Sequence, residues 1–383
     1  MLRLPVSLRV LAAALLASSF SLSAHVPDRS VEVHGRLSAK AAGEPGTAPA
    51  ERQRLLDEGE SLLAAGDALA AQQAFDRASQ LQHSADTELS LVRAYMQAGE
   101  YRRALAFVAH AAGAHREMPA GSALHAWLLR VGGQGGYAER VLAEAIERSR
   151  DDATLQDARA LLASAAPRAE GVLANGPARV VPYAWGTQVA AGAVVVGGGT
   201  LTAGGRTALA PSALVGGAKA IWVRNGLGET VVARVGASNG EWVLLQLERA
   251  LPRPSGLSLV GREPFAGGPD YCVEHITGDG SQAGWPLLRS GFFVYPARDG
   301  GLRPLGIEMP PGPRGGPVFD ASGRLAGIAL PHPDGRDRFL PVAAWPAEAL
   351  ADIPSDAGPA APRPLDELYE RSLLLALQVI VLR

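Results

Sequence analysis

The amino-acid sequence changes character at Pro167, and this change predicts a fold with two dissimilar main parts. Residues 52–166 are rich in Ala, Leu, Glu, Gln and Arg, and apolar residues recur every three or four positions. This pattern is typical of amphipathic helices. After Pro167, short apolar runs alternate with Gly, Asn and Asp, which predicts strands of about four to eight residues in an all-β barrel or sandwich. The chain has 383 residues, enough for both parts.

A repeat of 33 residues runs through the helical part. Six positions recur with the same or a similar residue: Leu62, Gly66, Asp67, Ala71, Phe75 and Ala78 return as Tyr95, Gly99, Glu100, Ala104, Val108 and Ala111. Small residues at fixed places let two helices approach closely, and the Gly-Asp or Gly-Glu pair predicts the turn between them. A third, degraded copy runs over residues 124–148, and its turn, VGGQGGY, departs from the pattern.

These residues resemble the tetratricopeptide repeat, a helix–turn–helix unit of about 34 residues. We therefore expect antiparallel helical repeats over residues 51–166, with Ala71, Phe75, Ala104 and Val108 buried between helices. The resemblance implies a concave surface that binds a protein or peptide. Two alternatives stay open: an ordinary helical bundle with a chance repeat, and a domain that partly docks on its neighbour.

The β part carries the pattern of a known family. Residues 312–328, GPRGGPVFDASGRLAGI, closely resemble the segment G-N/D-S-G-G-P-V/L-F-D…G-x-L-x-G-I of trypsin-like serine peptidases. Other segments resemble that family in the same order along the chain: 191–199, 207–218, 241–247 and 338–345. The resemblance implies a trypsin-like double β-barrel over residues 171–353, so the predicted fold is multidomain, with TPR-like helices followed by this barrel.

The three catalytic positions of the family do not carry its residues. The nucleophilic serine aligns with Arg314, the histidine with Ala213 and the aspartate with Glu241. The family's mechanism needs a hydroxyl that attacks, an imidazole that removes its proton and a carboxylate that orients the imidazole. The resemblance therefore implies a degenerate triad and no catalytic residue. The oxyanion hole is made of backbone N–H groups, here those of Gly312 and Arg314, and is implied to survive as geometry.

The vacated triad predicts a new arrangement of charges. With alanine at position 213, the long side chains of Arg314 and Glu241 are expected to flank the space that the imidazole ring would fill. We expect Arg314 to point into this cleft, where it pairs with Glu241 or forms an anion site suited to a peptide C-terminus. The alternative is a solvated Arg314 with no role.

Other residues do not supply a replacement triad. The β part contains two histidines, His275 and His332, and neither aligns with the family's base. A lone histidine is more often a surface or capping residue than a catalytic one. Three serines of the β part stand in turn-like contexts, where hydroxyls cap backbone groups: Ser281, Ser290 and Ser322.

No metal ion or cofactor is predicted. The sequence has no closely spaced set of His, Cys, Asp and Glu of the kind that binds metal. The glycine runs VVGGGT and AGGRT lack the lysine and the strand-to-helix setting of a phosphate loop, and they predict β-turns. The 36 basic and 38 acidic residues nearly balance, which gives no argument for nucleic acid as a partner.

The first 24 residues predict a secretory signal peptide. Arg3 and Arg9 precede an apolar run over residues 10–20, and small residues follow it. The run is short for a membrane span of about 20 residues, although an N-terminal anchor is the alternative. Cleavage would leave a periplasmic or secreted protein with no stable membrane span. Residues 25–50 predict a flexible spacer, and Cys272, the single cysteine, excludes an intrachain disulfide.

The C-terminal tail predicts one more helix and strand. Residues 354–364 read PSDAGPAAPRP, which is typical of a linker, and residues 365–383 continue as a helical segment and then a strand-like run. In the resembling family a similar helix and strand precede the barrel. Three interpretations stay open: a permuted strand of this barrel, a vestige of a second copy, or a helix that covers an apolar patch.

Together these patterns favour a protein-binding or scaffold module of the cell envelope that uses an inactive protease fold. The alternative is an active serine-type endopeptidase with a non-standard or relocated site. The partner is expected to be a protein or peptide.

Overall fold

The structure, a computed structural model, describes residues 48–164, 168–275, 278–296, 302–309, 315–331 and 337–383. All of them belong to one unit of the chain, Glu44–Arg383.

Seven helices occupy the first third of the described chain, and each packs against its neighbour in sequence. They are α1 (Ala48–Ala65), α2 (Ala68–Leu81), α3 (Ala85–Gln97), α4 (Tyr101–Ala114), α5 (Pro119–Val131), α6 (Gly135–Arg148) and α7 (Ala153–Ala163). The expected burial of the repeat residues is confirmed, since Ala71, Phe75, Ala104 and Val108 are each 0% exposed.

The same turn follows α1, α3 and α5. Its glycine has a left-handed φ of +86° at Gly66 and +83° at both Gly99 and Gly133, a conformation that glycine adopts without a steric penalty. In each turn the glycine N–H and the next N–H donate to carbonyls of the preceding helical turn, which satisfies groups that the helix end would leave unpaired. The third turn departs from the repeat in sequence but keeps this backbone geometry.

Sixteen strands lie in the described residues of the β part. They are β1 (Trp185–Gly186), β2 (Val194–Leu201), β3 (Thr207–Pro211), β4 (Ala220–Asn225), β5 (Glu229–Ser238), β6 (Trp242–Leu247), β7 (Leu259–Val260), β8 (Pro269–Glu274), β9 (Gly278–Asp279), β10 (Leu287–Phe292), β11 (Arg303–Pro304), β12 (Pro317–Asp320), β13 (Leu325–Leu330), β14 (Arg338–Pro341), β15 (Ser355–Asp356) and β16 (Ala376–Leu382). Ser290 therefore lies in strand β10, and its expected place in a turn is wrong.

The first sheet closes into a six-stranded barrel. Its order is β5-β4-β16-β2-β3-β6, and β5 pairs with β6 to close the ring. The C-terminal strand β16 is antiparallel to both of its neighbours, with Val379 opposite Gly197 of β2 and opposite Val223 of β4. Of the three interpretations of the tail, the structure thus agrees with the one that places its strand in this barrel.

The second sheet has the order β10-β8-β12-β13-β14-β11, with β7 paired to β13 and β15 to β7. Within the described residues no ladder joins β11 to β10, so the second closed barrel stays a prediction. The expected linker 354–364 is held in place, because β15 lies within it and pairs parallel with β7. Two short helices complete this part, α8 (Ala347–Leu350) and α9 (Leu365–Ser372).

The helical part docks on the β part through its three repeat turns. The Trp185 ring lies over Gly66, where a Cβ would overlap it, and Leu288 lies over Gly133, where a Cβ would come within 2.7 Å of it. Leu227 contacts the position of Gly99. Leu288 belongs to one hydrophobic core that spans the helices and the barrel, and Leu227 packs against this core. The helical part therefore docks in part on the β part, which is one of the alternatives that the sequence left open.

Helix α9, which precedes the C-terminal strand, contacts helix α4 of the helical part. The ring of Tyr369 meets the ring of Tyr101 edge-on, with centroids 4.6 Å apart, and Glu370 accepts a hydrogen bond from Arg102 at 2.9 Å. No helix within the described part of the chain is both long and apolar enough to cross a membrane.

Candidate functional site

Ala213 lies on a short 3-10 turn at the end of strand β3. All five residues of β3 are buried, and Leu214 of the turn is buried as well, which anchors the turn at both ends. Ala213 itself is exposed. The turn therefore presents position 213 to solvent on a fixed backbone, and the side chain it presents is a methyl group.

Glu241 lies beside this turn, immediately before strand β6. Pro211 is the cross-strand partner of Trp242, and the Ser212 N–H donates to the Glu241 carbonyl oxygen at 3.0 Å. The side chain of Asn239 accepts the Glu241 N–H at 3.1 Å and so fixes the turn into β6. The positions aligned with the family's histidine and aspartate are thus neighbours, and Glu241 is exposed there.

A third segment reaches the same place through Gly315. Its carbonyl oxygen accepts a hydrogen bond from Thr200 Oγ1 at 3.1 Å. The backbone of Gly315 lies so close to Gly198 and to the Pro211 ring that a Cβ would overlap both, and its φ of +151° also favours glycine. Gly315 follows the position aligned with the family's serine. The segments that carry Ala213, Glu241 and Gly315, which are far apart in the sequence, therefore lie close together in the fold.

Arg314 and Gly312 lie outside the described residues. The pairing of Arg314 with Glu241, the anion site and the surviving oxyanion hole all stay predictions. Among the described residues Glu241 makes no ion pair.

A buried carboxylate that the sequence analysis missed holds the loop at this site. Glu274 ends strand β8 and is 6% exposed. Its Oε1 accepts the N–H of Gly316 at 3.2 Å and that of Gly315 at 3.4 Å. A Cβ at Gly198 would come within 2.8 Å of Glu274 Oε2, so the glycine of β2 leaves room for this carboxylate. The only trace in the sequence is a charged residue at the end of an apolar strand.

His275 is not a surface or capping residue, as the sequence analysis expected of a lone histidine. It is 5% exposed, and its Nε2 lies 3.2 Å from the Ala376 carbonyl oxygen of β16. Burial lowers the pKa of His275 to about 4, because the charged imidazolium loses its hydration there. The ring is therefore neutral at neutral pH and is bonded to the barrel backbone. His332 lies outside the described residues.

Of the three serines expected in turns, Ser281 and Ser322 lie there. The Ser281 N–H donates to Asp279 and the Ser322 N–H to Asp320, both at 2.9 Å. Such turns hold the serine through its backbone rather than aim its hydroxyl at a base. Among the described residues, the one group of three metal-binding side chains lies elsewhere, in the helical part.

In the described residues of the cleft, position 213 offers no group that could take a proton from a nucleophile. The methyl group of Ala213 cannot accept a proton, and Glu241 has no imidazole beside it to orient. What the described residues place there are an exposed carboxylate at Glu241 and a buried one at Glu274.

Comparisons with known proteins found similarities only among solved structures. No model of a known protein family matches the chain, and no curated protein matches it. One similar structure is the MamO protease domain from Magnetospirillum magneticum in its apo form, with 18% identity over 40% of this chain and 88% of that chain, at a TM-score of 0.30. Another is the HtrA-type protease AlgW with a decapeptide, with 17% identity, 39% and 48% coverage and a TM-score of 0.30. The chain thus spans about half the length of AlgW.

Proposed function

We propose that this protein is an inactive relative of trypsin-like serine peptidases that binds another protein in the cell envelope. The observation that carries the proposal is the adjacency of Ala213 and Glu241, joined by the hydrogen bond from the Ser212 N–H to the Glu241 carbonyl oxygen at 3.0 Å. A methyl group stands where the mechanism needs an imidazole.

The magnitude of the loss argues against residual peptidase activity. Removing the histidine of such a triad lowers turnover on the order of a millionfold, because the hydroxyl then has no proton acceptor. In this chain the serine position also carries Arg314. His275, the one histidine in the described residues of the β part, lies within hydrogen-bonding distance of the Ala376 carbonyl oxygen.

The helical part supports the binding half of the proposal. Its repeat turns are covered by the β part, whereas a groove remains open beside the third turn. This groove, of about 730 Å³, is lined by Leu105, Tyr137, Arg140 and Leu365 among others. Arg140 stacks on the exposed Tyr137 ring at 4.2 Å, and Asp366 adds a negative charge. A rigid aromatic ring beside charges of both signs suits a peptide segment.

Export completes the proposal and depends on residues 1–24, which lie outside the described part of the chain. A mature N-terminus near Ser23 to His25, found by N-terminal sequencing of the protein from a periplasmic fraction, would support it. An intact Met1 on a membrane-bound protein would contradict it.

Hydrolysis of casein and of a peptide library by the purified protein tests the inactive site. We expect no cleavage by the natural protein or by Arg314→Ser, because the restored hydroxyl still has no base. Active trypsin carried through the same purification is the positive control. Cleavage by the natural protein that a serine-directed inhibitor abolishes would overturn the proposal.

Crosslinking tests the binding half. A photo-reactive residue at Tyr137 should give a discrete adduct in cells, and one at the exposed Asp151, outside the groove, should not. Equal adducts from both positions would count against the groove as the binding surface.

A further inference from the structure

Two histidines and a glutamate meet at the edge of the helical part that is opposite the docked turns. His83 lies in the connection from α2 to α3, Glu88 in the first turn of α3, and His115 directly after α4. The last helical residues before His83 and His115 occupy equivalent places in the 33-residue repeat. Stacking of successive repeats therefore brings together residues that the sequence separates.

The three side chains have the spacing of a metal site. One ligand atom from each lies within 4.8 Å of the others. His83 Nε2 is 2.7 Å from Glu88 Oε1, and His115 Nε2 is 3.4 Å from Glu88 Oε2. Bonds of about 2.0–2.1 Å in a tetrahedral arrangement place zinc ligands roughly 3.4 Å apart, so a metal ion needs little rearrangement here.

Burial makes a charged carboxylate at Glu88 costly unless a positive charge lies beside it. Glu88 is 3% exposed. Its Oε2 and the Nε2 of His115 are both buried, and neither has a hydrogen-bond partner in the described part of the chain. A buried carboxylate oxygen and a buried imidazole nitrogen without such partners are costly. A cation between them satisfies both, and the carbonyl ends of α2 and α4 add a favourable negative potential.

We propose that His83, Glu88 and His115 form a binding site for a transition-metal dication of the zinc type. Two imidazole nitrogens and one carboxylate are donors that suit Zn²⁺, whereas Ca²⁺ and Mg²⁺ prefer sites made of oxygen. The sequence analysis predicted no metal because the ligands are 5 and 27 residues apart and form no compact motif.

Glu117 completes the surroundings of the site. Its Oε1 lies 3.5 Å from the Nδ1 of His115. A carboxylate near this nitrogen favours the tautomer with its proton on Nδ1, which leaves the Nε2 lone pair for the metal. The His83 side chain is 61% exposed, so the site opens to solvent on that side. Three protein ligands leave one position for water or a further ligand. The metal would join the α2–α3 connection to the end of α4 and so link two successive repeats.

Metal titration of the full chain tests the proposal. The protein is purified without a polyhistidine tag, stripped with chelator and titrated with Zn²⁺ by calorimetry and with Co²⁺ by visible absorption. We expect one Zn²⁺ per chain at this site, an intense tetrahedral Co²⁺ spectrum, a higher Tm with Zn²⁺ and no such response to Mg²⁺. His83→Gln, Glu88→Gln and His115→Gln should each weaken Zn²⁺ binding by at least about tenfold, the smallest loss that outer partners alone cause.

Two further variants make the result decisive. His110→Gln removes an exposed histidine of α4 outside the site and should bind Zn²⁺ as the natural protein does. Since His83 is exposed, His83→Gln should keep the helical circular dichroism and the metal-free Tm, so its loss of binding cannot come from unfolding. The proposal is overturned if the stripped protein gives no Zn²⁺ or Co²⁺ response, which is the result expected if the histidines and Glu88 form only an ion pair. It is equally overturned if His83→Gln binds Zn²⁺ as tightly as the natural protein.

Discussion

A buried acid in strand β8 should make the protein less stable as the pH rises from about 4 to about 7. Asp270 is 0% exposed, and neither of its carboxyl oxygens has a hydrogen-bond partner in another described residue. Burial raises the pKa of Asp270 to about 7, although Arg303 opposes the shift. The folded protein therefore holds a proton here that the unfolded chain releases near pH 4.

The sign follows from proton counting. Between about pH 4 and pH 7 the folded state binds more protons at Asp270 than the unfolded state, so the free energy of unfolding falls as pH rises. A shift from 3.8 to about 7 corresponds to at most about 4 kcal/mol, at 1.36 kcal/mol for each pKa unit. Asp270→Asn keeps the shape of the protonated acid and cannot ionise. The variant should match the natural protein at low pH and exceed it by up to about 4 kcal/mol at pH 8.

Denaturant unfolding of both proteins at about pH 5 and about pH 8 measures this effect. The difference between them should grow by about 3 kcal/mol from the lower to the higher pH, since about two pKa units are crossed. Asp151→Asn changes an exposed acid and should leave the difference constant. A stability difference between Asp270→Asn and the natural protein that does not vary with pH would refute the burial argument.

Three other changes have expected outcomes. Burial lowers the pKa of His275 to about 4, so the stability that depends on its neutral ring is complete above about pH 6.5 and is lost as the pH falls towards 4. His275→Gln should therefore reduce the loss of stability seen in acid denaturation curves. Phe75→Ala, at 0% exposure, should cost about 3–5 kcal/mol in chemical denaturation, while Phe265→Ala, at 72% exposure, should cost almost nothing, and equal costs would contradict the core assignment. Deletion of residues 376–383 removes the strand between β2 and β4 and should abolish the near-ultraviolet circular dichroism of the barrel; an unchanged spectrum would show that the barrel does not need β16.

Local patterns in the sequence predict most of the elements. Apolar spacing of three and four residues marks the helices, and the glycines at 66 and 99 mark the turns, because both effects act within a few residues. The strand-like run at the C-terminus is also visible. Its place between β2 and β4 is not, because pairing over roughly 150–190 residues leaves no trace in local periodicity.

The candidate sites divide in the same way. Ala213 and Glu241 could be located because they lie in segments whose neighbours carry family patterns. Glu274 could not, since its role depends on the N–H groups of Gly315 and Gly316, more than 40 residues further along the chain. The grouping of His83 with His115 likewise follows from repeat stacking, which no short motif encodes.

The central claim is that the protease-like site has no working nucleophile and base. Intact-mass spectrometry after treatment with a fluorophosphonate tests it most directly, because this reagent labels only serines whose hydroxyl is activated. We predict no adduct on the natural protein under conditions that label trypsin completely. A stoichiometric adduct, mapped to a single serine, would contradict the claim and establish the protein as an active serine hydrolase.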